Sequence, residues 1–148
     1  MKTNTIELYI HIPFCKSKCR YCDFCSFRAE EETIHAYLGK LKEELIFWGK
    51  KLAARDVVTV FIGGGTPSYL RREDIQMICE TIFEHFHICE DAEITIEANP
   101  GTVDLKKLCT YRENGINRIS FGLQSTVKEE LEYLGRIHTY EEFLQSFD

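Results

Sequence analysis

The sequence has no surplus of positive charge and no block of it. Its 18 Lys and Arg stand against 24 Asp and Glu, a net charge of −6, and the Arg71-Arg72 pair is followed at once by Glu73 and Asp74. Such a chain offers no electrostatic footprint to a phosphate backbone or an anionic lipid surface, so nucleic acid is not an expected partner. An apolar run long enough to cross a bilayer is also lacking, and no integral membrane segment is expected. The start, Met1 to Thr5, is polar and leads into a strand rather than into the apolar stretch of a signal peptide, which makes a cytoplasmic location the expectation. Paired, evenly spread cysteines are missing too. There are seven, an odd number, and four of them fall between Cys15 and Cys25. That pattern excludes a secreted disulfide framework and points to a metal or iron-sulfur site in a reducing compartment. Cys79, Cys89 and Cys109 are scattered and read as small packing residues. What is present in ordinary amount is apolar side chain, 44% of the residues, enough for a folded core.

Strand and helix patterns alternate along the chain. Ile6 to Ile12 alternates around Leu8, Ile10 and Ile12 and stops at Pro13, as a strand running into a loop does. From Glu31, Ile34, Tyr37, Leu38, Leu41, Leu45, Trp48 and Leu52 recur at three- and four-residue steps, which predicts a helix with one apolar stripe. Val57 to Ile62 is a second strand, followed by Gly63-Gly64-Gly65-Thr66-Pro67 and a helix carrying Ile75, Ile78, Ile82 and Phe86. A third strand, Ile94 to Ala98, leads through Asn99-Pro100-Gly101 to a helix capped by Thr102, carrying Leu105 and Leu108 and ending at Asn114-Gly115. The fourth unit is Arg118 to Leu123, then Val127, Leu131 and Leu134 ahead of Gly135. Four strand-helix units in succession predict an α/β fold with a parallel sheet and right-handed crossovers.

The unusual residues all fall just after a strand and before its helix: the cysteine loop, Gly63 to Pro67, Glu97 to Gly101, and Gln124-Ser125. In parallel α/β folds such positions gather at the carboxyl edge of the sheet, where ligands bind. Cys15-x3-Cys19-x2-Cys22 puts three thiolates on one tight loop. A cubane [4Fe-4S] cluster normally takes four cysteines, so three would leave one iron without a protein ligand. Counting Cys25, four thiolates would also suit a structural zinc, although zinc sites usually join two separated pairs and no second pair follows. The glycines after the second strand let main-chain groups approach a ligand closely. They are not a phosphate loop, because the Gly-Lys-Ser/Thr ending is absent.

These residues resemble the radical S-adenosylmethionine (SAM) proteins, in the branch of haem chaperones and oxygen-independent coproporphyrinogen III oxidases. The likeness lies in Cys15-x3-Cys19-x2-Cys22 with Tyr21, Leu8-Tyr9-Ile10-His11-Ile12-Pro13-Phe14, and Phe61-Ile62-Gly63-Gly64-Gly65-Thr66-Pro67-Ser68-Tyr69-Leu70. It continues in Ile94 to Gly101, Arg118 to Ser125, and Leu134-Gly135-Arg136-Ile137-His138. The resemblance implies a [4Fe-4S] cluster on Cys15, Cys19 and Cys22, whose open iron is chelated by SAM and whose electron releases a 5′-deoxyadenosyl radical, chemistry that belongs to the cofactor. It also implies SAM contacts from Tyr9, Tyr21, Gly64, Gly65, Thr66, Glu97, Gln124 and Arg136. Glu97 is otherwise a charge at the end of an apolar strand, costly without a partner. His138 is left between a ligand-site role and a surface or supporting one, no catalytic residue is singled out, and Cys25 reads as a bystander. Gly65→Val is expected to block SAM while cluster content survives.

Within the branch, Glu97-Ala98-Asn99-Pro100-Gly101, Gly135-Arg136-Ile137-His138-Thr139, and Phe24 where the oxidases carry a further cysteine look more like the haem chaperones. The resemblance then implies haem as ligand, a haem-acceptor protein as partner, and an electron donor such as flavodoxin or ferredoxin. Oxidative decarboxylation of a porphyrinogen is the alternative, and a zinc-binding interaction module a second one. Whether the chain is an enzyme stays open. The fold expected is a partial (β/α) barrel with about four of six units, residues 1–148 being the N-terminal portion of a radical SAM core domain. The C-terminal domain of the family is expected to be missing, and the piece to hold a cluster poorly and be inactive alone.

Overall fold

A computed structural model describes residues 4–148; Met1 to Thr3, read above as part of the polar lead, lie outside the described residues. Four parallel strands form one sheet in the order β1-β2-β3-β4: β1 Thr5–Ile12, β2 Asp56–Gly64, β3 His87–Ala98 and β4 Arg118–Phe121. Neighbours in space are neighbours in sequence. The crossovers are α1 Glu31–Lys51, α2 Arg72–His85 and α3 Leu105–Glu113, and two short helices follow β4, α4 Lys128–Leu134 and α5 Tyr140–Phe147. The α/β expectation holds. Among the described residues β1 and β4 are the sheet's edges and do not pair with each other.

Strand alternation decides which face is dry. Ile10 and Ile12 of β1, Val60 and Ile62 of β2, and Ile94 and Ile96 of β3 point into one core with Ile75, Ile78 and Ile82 of α2 and Leu38 and Leu45 of α1. On the opposite face Tyr9 stands beside Phe61, its register partner, with ring centroids 6.2 Å apart. Cys79 belongs to the core, and burial pushes its thiol up to about 12. The other two scattered cysteines do not share that role, since Cys89 is half-buried and Cys109 exposed.

Four boundaries differ from the pattern in the sequence. β3 begins at His87 rather than Ile94, because His87 and Ile88 pair with Asp56 and Val57 before a register shift leads to Glu93 opposite Thr59. Phe86 is accordingly extended and lies outside α2. Asp104, not Thr102, caps α3: its carboxylate accepts from Lys107 N at 2.8 Å, while the Thr102 hydroxyl donates to Asn99 O at 2.6 Å. β4 ends at Phe121, and Leu123 has left the ladder. Trp48 is half-exposed on the apolar stripe of α1. The close approach of α1 to α2 is at its neighbour Gly49, where a Cβ would fall 2.6 Å from the His85 main-chain oxygen, so the contact has no room for the larger ring.

Candidate functional site

Pro13 ends β1, and the following loop is closed on itself by Cys15 N donating to Phe27 O (3.0 Å) and Phe27 N to Pro13 O (2.8 Å). Lys18 Nζ draws its far side in by donating to Phe24 O and Ser26 O. The loop is then fastened to two other segments. Gly65 N donates to Ile12 O at 2.7 Å and Thr66 N to Phe14 O at 2.8 Å, while Arg20 N donates to Leu134 O at 3.0 Å. Ends of β1, β2 and α4 thus meet around one cavity of about 430 Å³ at the carboxyl edge of the sheet.

Cys15, Cys19 and Cys22 all line this cavity, and each sulfur has a hydroxyl or guanidinium group beside it. Thr66 Oγ1 donates to Cys15 Sγ at 3.5 Å, Arg136 Nη1 to Cys19 Sγ at 3.4 Å, and the Ser26 hydroxyl lies 3.9 Å from Cys22 Sγ. Cys25 is exposed and does not line the cavity; its main-chain oxygen bonds His11 Nε2 at 2.9 Å. Among the described residues no group of three or more His, Cys, Asp or Glu is already gathered as for a single metal ion.

Tyr21, Gly64, Gly65, Thr66, Glu97, Gln124 and Arg136 line the same cavity. Tyr9 does not. It stands on the open face of the sheet, 59% exposed, bonded to His11 Nδ1 at 2.9 Å. Burial, followed by the nearby Glu97 carboxylate, pushes its phenol above the usual range. Glu97 has a partner within the protein, since Gly64 N donates to its Oε2 at 3.0 Å. Gly64 can present that amide because its φ of 113° lies where side chains are rarely tolerated. Gln124 has a φ of 70°, a local strain of the kind that collects at ligand sites.

The donor set fits an iron-sulfur cluster with a SAM beside it. Three thiols line the cavity together, the Gly64-Gly65 edge has no room for a side chain, and Arg136 Nε is a buried donor with no partner among the described residues. The same crowding corrects one expectation. A Cβ on Gly65 would lie 2.8 Å from Phe14 O and 3.0 Å from Cys15 Sγ, so a larger residue there disturbs the cysteine loop as well as the ligand space.

Pattern reading missed Ser26, for which no signal exists, and the linking position of Asn99, visible only as a polar residue at a strand's end. His138 is buried and bonds Leu123 O at 3.1 Å, which removes the surface role. Its pKa lies below the ordinary value, chiefly through burial and with help from the Arg136 charge, against the pull of Leu123 O and Glu142. Protonation therefore favours the unfolded chain. The stabilising contribution is complete above a pH of about 6.5 and is lost as pH falls through the depressed value. His138→Gln is expected to flatten the fall of the urea midpoint between about pH 7 and about pH 5 relative to the parent.

Comparison with known proteins agrees with this geometry. A sequence model of the radical SAM superfamily matches residues 9–148. The chain is 44% identical over 139 residues to the Heme chaperone HemW of Escherichia coli, covering 93% of this chain and 37% of that protein. It is 38% identical over 141 residues to the Heme chaperone HemW of Bacillus subtilis, covering 95% of this chain and 37% of that protein. The solved structure of coproporphyrinogen III oxidase (HemN) from Escherichia coli, described as a radical SAM enzyme, superposes with a TM-score of 0.88 at 32% identity. That match covers 95% of this chain and 33% of the other. The open sheet is therefore part of a radical SAM barrel, and the chain spans about a third of the length of the relatives it matches.

Proposed function

Because this chain belongs to the radical SAM superfamily, we propose that Cys15, Cys19 and Cys22 hold a [4Fe-4S] cluster and that Tyr21, Gly64, Gly65, Thr66, Glu97, Gln124 and Arg136 form the wall against which SAM binds. When bound, the cluster supplies one electron and an iron without a protein ligand, to which the amino and carboxylate groups of SAM can attach. The chain's own part is to position and to exclude water. Gly64 and Gly65 let the ligand approach the main chain, the Glu97 carboxylate can accept from the amino group's N–H, and Arg136 Nε, without a partner among the described residues, can donate to the carboxylate. Tyr9, on the open face, would reach SAM only along the sheet surface past Glu97.

For the protein as a whole we propose haem binding and its transfer to an acceptor protein, with an electron donor such as flavodoxin or ferredoxin and a cytoplasmic setting. The observation that carries this reading is the similarity, over almost the whole chain, to proteins named as haem chaperones. Residues 1–148 would then be the N-terminal portion of the radical SAM core. Porphyrinogen decarboxylation is the second reading, favoured by the structural match to the coproporphyrinogen oxidase; the zinc module gains no support. A full-length protein carrying this chain, incubated anaerobically with reductant, SAM and coproporphyrinogen III, is expected to leave the porphyrinogen unchanged and to bind haem stoichiometrically. Formation of protoporphyrinogen would overturn the chaperone reading.

A further inference from the structure

Asn99, the first residue after β3, touches two of the groups that face the cysteine sulfurs. Arg136 Nη2 lies 2.7 Å from Asn99 Oδ1, and Asn99 Nδ2 lies 3.0 Å from Thr66 Oγ1. The orientation of the amide follows from chemistry. A guanidinium has donors and no acceptor, so the amide oxygen must face Arg136 and the NH2 must face Thr66. The Thr66 hydroxyl has one proton. Accepting from Asn99 leaves that proton free for Cys15 Sγ, 3.5 Å away. On the other arm, Arg136 Nη2 is held by Asn99 Oδ1 and Gly122 O, and the planar guanidinium then aims Nη1 at Cys19 Sγ. Asn99 is itself fixed, its main-chain N donating to Ser68 Oγ at 3.2 Å and its O accepting from Thr102 N at 3.1 Å.

We propose that Asn99 is a positioning residue for the cluster: it sets the direction of the Thr66 proton and the angle of the Arg136 guanidinium, and so presents donors to two of the three cysteine sulfurs at once. This inference rests on the cluster assignment made above. Donors aimed at cluster sulfurs stabilise the more negative, reduced state, so the arrangement raises the reduction potential. Among the described residues no other side chain bonds both arms, and a hydroxyl left without its Asn99 donor is free to turn away.

The test measures reduction potentials of an anaerobically reconstituted full-length protein that carries this chain, by redox titration followed by electron paramagnetic resonance. In the parent, Thr66→Val is expected to lower the reduced-to-oxidised ratio at the parent midpoint by about threefold to tenfold, the upper figure being about 59 mV for one electron. Asn99→Asp has the same shape and keeps the acceptor for Arg136, yet its carboxylate can only accept from Thr66 and so takes the proton away from Cys15. Asn99→Asp is expected to retain the parent's iron and sulfide and to have a lower potential. In its background Thr66→Val should then cause no further shift. Asn99→Leu, which removes both arms, should lower the potential more than Thr66→Val does. Equal shifts from Thr66→Val in both backgrounds, a parent-like potential in either Asn99 variant, or loss of iron and sulfide from folded Asn99→Asp would overturn the relay. Should Asn99→Leu not fold, the Asn99→Asp and Thr66→Val pair decides alone. A parent protein that takes up neither iron nor sulfide overturns the cluster assignment itself, and is recognised before any variant is made.

Discussion

Replacing Cys15, Cys19 or Cys22 with Ala is expected to abolish the broad charge-transfer absorption of the anaerobically reconstituted full-length protein that carries this chain, while Cys25→Ala leaves it at the parent level. In a three-cysteine site each thiolate is the sole protein ligand of its iron, so losing one removes a corner of the cluster with no substitute at hand. The geometry separates the four thiols in the same way. Three line the cavity with a hydroxyl or guanidinium group beside each sulfur, whereas Cys25 is exposed and does not line it. Iron and sulfide analysis of the four variants beside the parent checks the result. Equal loss in Cys25→Ala would restore a four-thiol site, and zinc without sulfide in the parent would replace the cluster altogether.

Gly65→Val should be nearly as damaging. The added carbons would enter space already taken by Ile12 O at 2.9 Å, Phe14 O at 2.8 Å and Cys15 Sγ at 3.0 Å. Two of these are main-chain atoms that cannot rotate aside. Gly65 N also donates to Ile12 O, so relief by shifting the chain breaks the bond that joins β2 to the start of the cysteine loop. Overpacking of this kind typically costs about 1–3 kcal/mol. The variant is expected to lose the SAM-induced change in the cluster's electron paramagnetic resonance signal, to hold well under half the parent's iron and sulfide, and to unfold at lower urea. Gly39→Ala is the control. Gly39 is exposed in the middle of α1 with nothing within 4 Å of an added Cβ, so it should leave the site unchanged and stabilise the helix by about 0.5–1 kcal/mol. Full cluster content together with a SAM response in Gly65→Val would make the turn a spacer and nothing more.

The sequence by itself determined the order of strands and helices, and with it the edge of the sheet where the site lies. Period-two alternation in Ile6 to Ile12 and the three- and four-residue steps of α1 and α2 are local properties that each segment carries alone. A parallel sheet then has little choice about where its strand-to-helix loops converge. The cysteine spacing, the glycine turn and Glu97 were legible for that reason. Tertiary structure decided what depends on distances between segments far apart in the chain. The early start of β3 exists because His87 and Ile88 find Asp56 and Val57 across the sheet. Thr102 lost the cap of α3 to Asp104 because its hydroxyl is drawn to the main chain of Asn99. Trp48 is turned outward because the helices touch at Gly49. Tyr9 stands away from the cavity wall because it sits lower on the open face, level with Phe61 and Thr95 and so two residues short of Glu97, which does line it. The hydrogen bonds that converge on Asn99 were invisible in the sequence for the same physical reason. They join residues more than thirty positions apart, and no local propensity encodes an angle between two side chains that meet only after the sheet has formed.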